Sequence, residues 1–213
     1  LPSKGILPPE GVSLQKEYPS RRSIPPEGVS LQKEYPSRRS IPPEGVSRII
    51  KHMKILAIDP GYEKVGYAIF EKQQDKHDKD FTFIASDLIK TSPKNPHEVR
   101  LKEIFDSLDK IVKTHKIDLL VLEQLFIFKN QKTVLKVAQA IGAIELVAAQ
   151  NNLLIERLTP LQIKQIITGY GNADKLAVKK MIDLTLTDKV KVKDDDESDA
   201  IACGLAYCFT FKF

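Results

Sequence analysis

Of 213 residues, 33 are Lys or Arg and 28 are Asp or Glu, a net charge of +5 whose excess sits mainly in residues 1–52 (9 basic, 5 acidic, 9 of the 13 prolines) and not in residues 53–213 (24 basic, 23 acidic). No stretch reaches the ~18–20 apolar residues of a membrane helix, and the first residues lack the apolar core of a secretory signal. The 161 residues from Met53 onward suit one well-buried domain and not two, with the cytoplasm as the expected compartment.

Residues 1–52 read as an unstructured arm. Gly11–Glu27 recurs letter for letter at 28–44, and a third copy begins at Gly45. A 17-residue period rich in Pro, Ser and charge has too few apolar positions to stack as a solenoid. The arm reads as translated upstream sequence ahead of a start at Met53. Were it part of the product, its Arg-Arg pairs would touch nucleic acid, or its prolines would offer a peptide motif.

From Met53 the pattern becomes that of a folded domain. Lys54–Asp59, Gly66–Phe70 and Phe81–Ala85 read as three closely spaced strands, hence an antiparallel meander with a polar turn at 72–80. Asn95-Pro96-His97-Glu98 reads as a helix start, with Pro at N1 and Glu at N3; the helix runs to about Lys116. Asp118–Glu123 is a fully apolar strand reached by a helical crossover, so it should lie parallel. A helix over 131–151 is apolar on more than one face, which points to burial on several sides or to a partner subunit. Leu153–Arg157 is a fifth strand. Thr159-Pro160-Leu161-Gln162 is a capping box for a helix ending at Gly169. A further helix spans 173–186, and the acidic run 194–199 opens a last apolar helix. Cys203 and Cys208 fall about 140° apart on that helix, which suits two buried thiols and not a disulfide. The expected fold is α/β: a mixed five-stranded sheet, three strands antiparallel and two parallel, flanked by helices.

The carboxylates carry the chemistry. Asp59 closes the first strand and Glu123 the fourth, and in this order the two strands can be neighbours with both acids at one edge. Asp196 and Asp199, three apart, share a helix face, although Asp195 and Asp199 share one as well. Four converging carboxylates repel one another unless hard divalent cations compensate them. Such a cluster suits two-metal hydrolysis of a phosphodiester.

Five segments in order make the domain recognisable. They are Ile58-Asp-Pro-Gly61 with Gly66-Tyr67; Leu122-Glu-Gln-Leu-Phe126 with Lys129-Asn130; Thr159-Pro-Leu-Gln-Ile-Lys164; Gly169-Tyr-Gly-Asn-Ala-Asp-Lys175; and Asp196-Glu-Ser-Asp-Ala-Ile-Ala202. Residues 53–213 thereby resemble the RuvC family of Holliday junction resolvases, within the ribonuclease H-like superfamily; residues 1–52 lie outside the resemblance. It implies a bacterial crossover junction endodeoxyribonuclease of recombination and repair, with Asp59, Glu123, Asp196 and Asp199 as catalytic acids holding two Mg²⁺ or Mn²⁺ ions. Some family members have His where Asp196 stands. The resemblance also implies that Phe126 stacks on or wedges between bases near the crossover, and that Lys164 and Lys175 lie near the scissile phosphate. Gly169–Gly171 is read as exposing backbone N–H groups at a helix start, a phosphate seat. Implied partners are four-way junction DNA, a second copy in a two-fold homodimer, and a branch-migration helicase with its junction-binding partner. Setting the four acids aside leaves 24 basic against 19 acidic residues, so the metal-loaded domain should bind phosphates in a salt-dependent way. The competing readings are a ribonuclease H-like nuclease acting on RNA and a non-catalytic junction-binding protein.

Overall fold

The computed structural model describes residues 52–73, 81–124, 131–186, 192 and 194–210. Five strands form one sheet: β1 (His52–Asp59), β2 (Lys64–Gln73), β3 (Phe81–Lys90), β4 (Leu119–Glu123) and β5 (Leu154–Leu158), in the order β3-β2-β1-β4-β5. β1–β2 and β2–β3 pair antiparallel, β1–β4 and β4–β5 parallel. The expected fold class therefore stands. β2 and β3 are both longer than the apolar runs Gly66–Phe70 and Phe81–Ala85. Their backbones keep pairing from Lys64 opposite Lys90 to Lys72 opposite Phe81, through polar side chains that an edge strand tolerates.

Alternation along the strands divides the core in two. Ile55, Ala57, Ala68, Phe70, Leu119 and Val121 face one side; Leu56, Ile58, Ile69, Leu120 and Leu122 face the other. The second side is covered by α1 (His97–His115) and α2 (Gln131–Gln150), and the first by α3 (Pro160–Thr168), α4 (Lys175–Thr185) and α5 (Asp195–Thr210). On α2, Ala140, Ile144, Val147 and Ala148 are buried, whereas Leu135 and Leu146 are exposed.

Two helix starts differ from expectation. Pro96 is the N-cap of α1 and not its first residue, and no side chain caps that end. The Asn95 amide is drawn instead to Glu103. α4 begins at Lys175, with Asp174 as N-cap accepting from the Ala177 N–H at 2.7 Å. The segment Gly169–Gly171 therefore closes α3, with Gly169 as its left-handed cap at φ 80°, and does not present a helix N-terminus. The Thr159 capping box forms as expected: its hydroxyl accepts from the Gln162 N–H, and the Gln162 side chain accepts from the Thr159 N–H.

α5 lies close on the sheet because its buried face is small: Ala200, Cys203, Gly204 and Ala206 are all buried. Both cysteines are free and buried. Gly204 seats the ring of Phe70, which also meets Phe81 and Phe83 edge-on at 6.0 and 5.5 Å. A Cβ at 204 would stand 2.2 Å from that ring. Gly204→Ala is expected to lower unfolding free energy by about 1–3 kcal/mol through overpacking, read from urea denaturation; an unchanged midpoint would show that the helix shifts freely. Among the described residues, no helix is long and apolar enough to cross a membrane.

Candidate active site

Three elements meet at one edge of the sheet. β1 and β4 are parallel with Ile58 opposite Leu122, so Asp59 and Glu123, one residue further on, lie side by side at the strand ends. On the other flank of β1, Asp59 faces Gly66 of β2. A Cβ at Gly66 would fall 1.9 Å from the Asp196 carbonyl oxygen. Only a residue without a side chain lets the first turn of α5 come down onto β2, and that approach brings Asp196 and Asp199 over the strand ends.

The electrostatics express this convergence. Burial, then the charges of Glu123, Asp199 and Asp196, push the Asp59 carboxyl up to about 8. Burial and the Asp199 charge push Glu123 up to about 7, against the pull of Lys164 and Lys175. The two carboxyls share a hydrogen bond that raises Asp59 and lowers Glu123, as when the Asp59 hydroxyl donates to an ionised Glu123. Burial also raises Asp199 and Asp196. Asp195 differs from Asp196 and Asp199 in burial: its side chain is 79% exposed, and it pairs with Lys175 at 3.4 Å. Between the two alternatives left open by spacing, the half-buried Asp196 is the one that acts on Asp59.

Lys164, on α3, and Lys175, on α4, line a cavity of about 220 Å³ together with Glu123, Asp199, Pro160, Ile163 and Val178. The structure thus brings Glu123, Asp199, Lys164 and Lys175 around one cavity, with Asp59 beside Glu123, while Asp196 acts on Asp59 but lines a second cavity with Asp194, Asp195 and Lys64. Phe126, Lys129 and Asn130 lie outside the described residues.

Several supports escape a sequence reading. Asp194 accepts from the Asp196 N–H at 3.2 Å and is itself held by Lys64 at 2.6 Å. Ser86 on β3 donates to the buried Glu197 at 2.7 Å. The loop after Asp59 is fixed from α1: the Tyr62 carbonyl accepts from Thr91 at 2.9 Å, Arg100 donates to Thr91 at 2.9 Å, and the Tyr62 hydroxyl shares a hydrogen bond with His97 at 2.7 Å. Except for Asp194 with Asp196 and Thr91 with Arg100, these contacts join residues far apart in the chain, and no local pattern announces them. The only local signal is glycine at 61 and 66, where backbone approaches closely.

The donor set fits hard divalent cations: it is all carboxylate, partly buried, and it raises its own pKa values for want of compensating charge. Among the described residues, no three of these side chains close a cage around one point. Burial and mutual repulsion raise both Asp59 and Glu123, so protons compete with a cation for these carboxylates.

Comparison with known proteins identifies the family. Residues 55–208 match the family described as "Crossover junction endodeoxyribonuclease RuvC". The RuvC protein of Fusobacterium nucleatum is 40% identical over 155 residues, covering 73% of this chain and 80% of its own. That of Aliarcobacter butzleri is 42% identical, covering 73% and 97%. Among solved structures, Thermus thermophilus RuvC in complex with Holliday junction substrate superposes with a TM-score of 0.68 at 25% identity, over 74% of this chain and 93% of that one. The match runs from the first strand to the last helix and takes in both strand-terminal acids and the acidic start of α5, and on it this chain belongs to the RuvC family of crossover junction endodeoxyribonucleases.

Proposed function

We propose that this chain is an endonuclease that resolves four-way DNA junctions by symmetric, divalent-metal-dependent nicking, with residues 53–213 as the nuclease domain. The observation that carries the reading is the convergence of Asp59, Glu123 and Asp199 at one sheet edge beside Lys164 and Lys175, with Asp196 close enough for its charge to act on Asp59. The four acids would hold two Mg²⁺ or Mn²⁺ ions, which when bound supply Lewis acidity toward the phosphate and lower the pKa of water. Burial of Asp59 and Glu123 keeps bulk water from screening the charges that act there. Lys164 and Lys175 place positive charge on the open side of the acids, where a phosphate diester enters.

Phe126 is assigned the role of a wedge at the crossover. Exposed Leu135 and Leu146 on α2 support that helix as part of a homodimer interface, because two equivalent strands call for two equivalent sites. A branch-migration helicase and its junction-binding protein are the protein partners in this reading, and recombination and repair the setting.

The test is cleavage of a synthetic four-way junction set against a linear DNA duplex and an RNA duplex, with Mg²⁺ or Mn²⁺ present. Paired nicks in opposing strands of the junction, with 5′-phosphate ends and little action on either duplex, are expected. Preferential cleavage of the RNA would overturn the assignment.

A further inference from the structure

Lys175 opens α4 and reaches two carboxylates of α5, Asp195 at 3.4 Å and Asp199 at 3.5 Å. One of these acids belongs to the proposed metal centre and the other does not. Asp199 is half-buried, lines the same cavity as Lys175 and acts on Asp59. Asp195 is exposed and four residues earlier on the helix, so one amine spans both. An ammonium and a divalent cation repel each other strongly at the separation that sharing Asp199 would require. Lys175 and a metal ion therefore compete for that carboxylate.

We propose that Lys175 is the resident counter-ion of the metal-free site: it holds Asp199 until divalent cations arrive, then yields that carboxylate, keeps contact with Asp195, and so becomes available to the phosphate. The proposal rests on the reading of the four acids as the metal centre. Its physical basis is local. The backbone under Lys175 is fixed by the Asp174 cap, while the side chain is 67% exposed and swings on a flexible stem with little change in solvation. Asp195 gives the amine a partner throughout, so the exchange strands no charge. It also gives a use to the one acid of the 194–196 run that lies away from Asp59 and is bound to neither Lys64 nor β2.

Lys175 then has two effects of opposite sign. It weakens cation binding by the free protein and assists the loaded one. Mn²⁺ binding to the full chain without DNA, followed by calorimetry at low salt, separates them. Lys175→Gln is expected to bind Mn²⁺ roughly 5- to 10-fold more tightly, a Coulomb effect discounted for the exposure of the amine, while cutting junction cleavage at saturating Mn²⁺. Lys175→Arg, which keeps the charge, should retain the weaker affinity, and Lys180→Gln, elsewhere on α4, should alter neither quantity. Equal or weaker Mn²⁺ binding by Lys175→Gln overturns the exchange alone. Absence of Mn²⁺ uptake by the unaltered protein overturns the exchange together with the metal reading beneath it.

Discussion

Asp59→Asn is expected to reduce junction cleavage on the order of 10³-fold or more, about 4 kcal/mol of transition-state stabilisation, while junction affinity measured in chelator stays the same or rises slightly. The separation of the two effects follows from the state of the carboxyl. In the metal-free protein Asp59 is pushed up to about 8, so at neutral pH it is mostly a neutral acid bonded to Glu123. Asn is nearly the same size, is neutral, and keeps a donor toward Glu123; it mimics the protonated form and leaves the fold undisturbed. What it cannot do is ionise to receive a cation. Removing one proposed metal ligand leaves Lys164, and the ion pairs of Lys175 with Asp195 and Asp199, as they are. Asp196→Asn and Asp199→Asn should show large losses of the same kind, whereas Asp195→Asn, on an exposed residue outside the group that raises Asp59, should cost far less, because it removes only the partner that Lys175 keeps and no proposed metal ligand. Unimpaired nicking by Asp59→Asn would remove Asp59 from the site. A collapse with Asp195→Asn and none with Asp196→Asn would move the helix ligand by one residue.

How much of this was legible in the sequence follows from how local each feature is. Asp59 and Glu123 each end an apolar run; the antiparallel meander turns β3 back into the direction of β1, and the helical crossover from β3 sets β4 in that direction too, and the register that sets Ile58 opposite Leu122 completes what the pattern implied. The capping box at Thr159 is local too, and it forms as read. The start of α1 misled because Pro is accommodated both at the N-cap and at N1, and the Asn95 side chain finds Glu103 instead of the helix end. Gly169-Tyr-Gly171 misled in a similar way: glycine marks both the end of one helix and the approach to the next, and only the left-handed turn at Gly169 decides. The choice between Asp195 and Asp196 was not legible, since either shares a face with Asp199. We favour Asp196 because Gly66 packs against its backbone, a contact between positions 130 residues apart in the chain. Lys64 with Asp194, and Ser86 with Glu197, belong to the same class: they are consequences of α5 lying on the sheet and have no periodicity of their own.

Stability in chelator is expected to fall as pH rises from about 4 to about 8, and divalent cations should reverse that trend. Asp59, raised from 3.8 to about 8, and Glu123, raised from 4.5 to about 7, bind protons more tightly in the folded chain than in the unfolded one. Between those values the native state holds more protons, so ∂ΔG/∂pH of unfolding is negative. The fold is least penalised below the unfolded pKa and bears the whole penalty above the folded one. Asp196 and Asp199, also raised, act in the same direction. Asp109 and Asp194 are lowered by their partners Asn151 with Lys113, and Lys64. They act with the opposite sign and below about pH 4, outside the window. The thermal midpoint in EDTA should therefore drop by roughly 10 °C from pH 5 to pH 8. A cation that binds only the folded, ionised cluster adds stability by mass action, and adds more as pH rises because protons no longer compete. Mg²⁺ or Mn²⁺ should thus help little at pH 5 and most at pH 8. Asp59→Asn should flatten the slope in EDTA and blunt the response to cations together, since both arise from one carboxyl. A midpoint in EDTA that is level across this range, or that rises, would mean the four acids do not burden the fold, and a metal would then have no mutual repulsion to relieve.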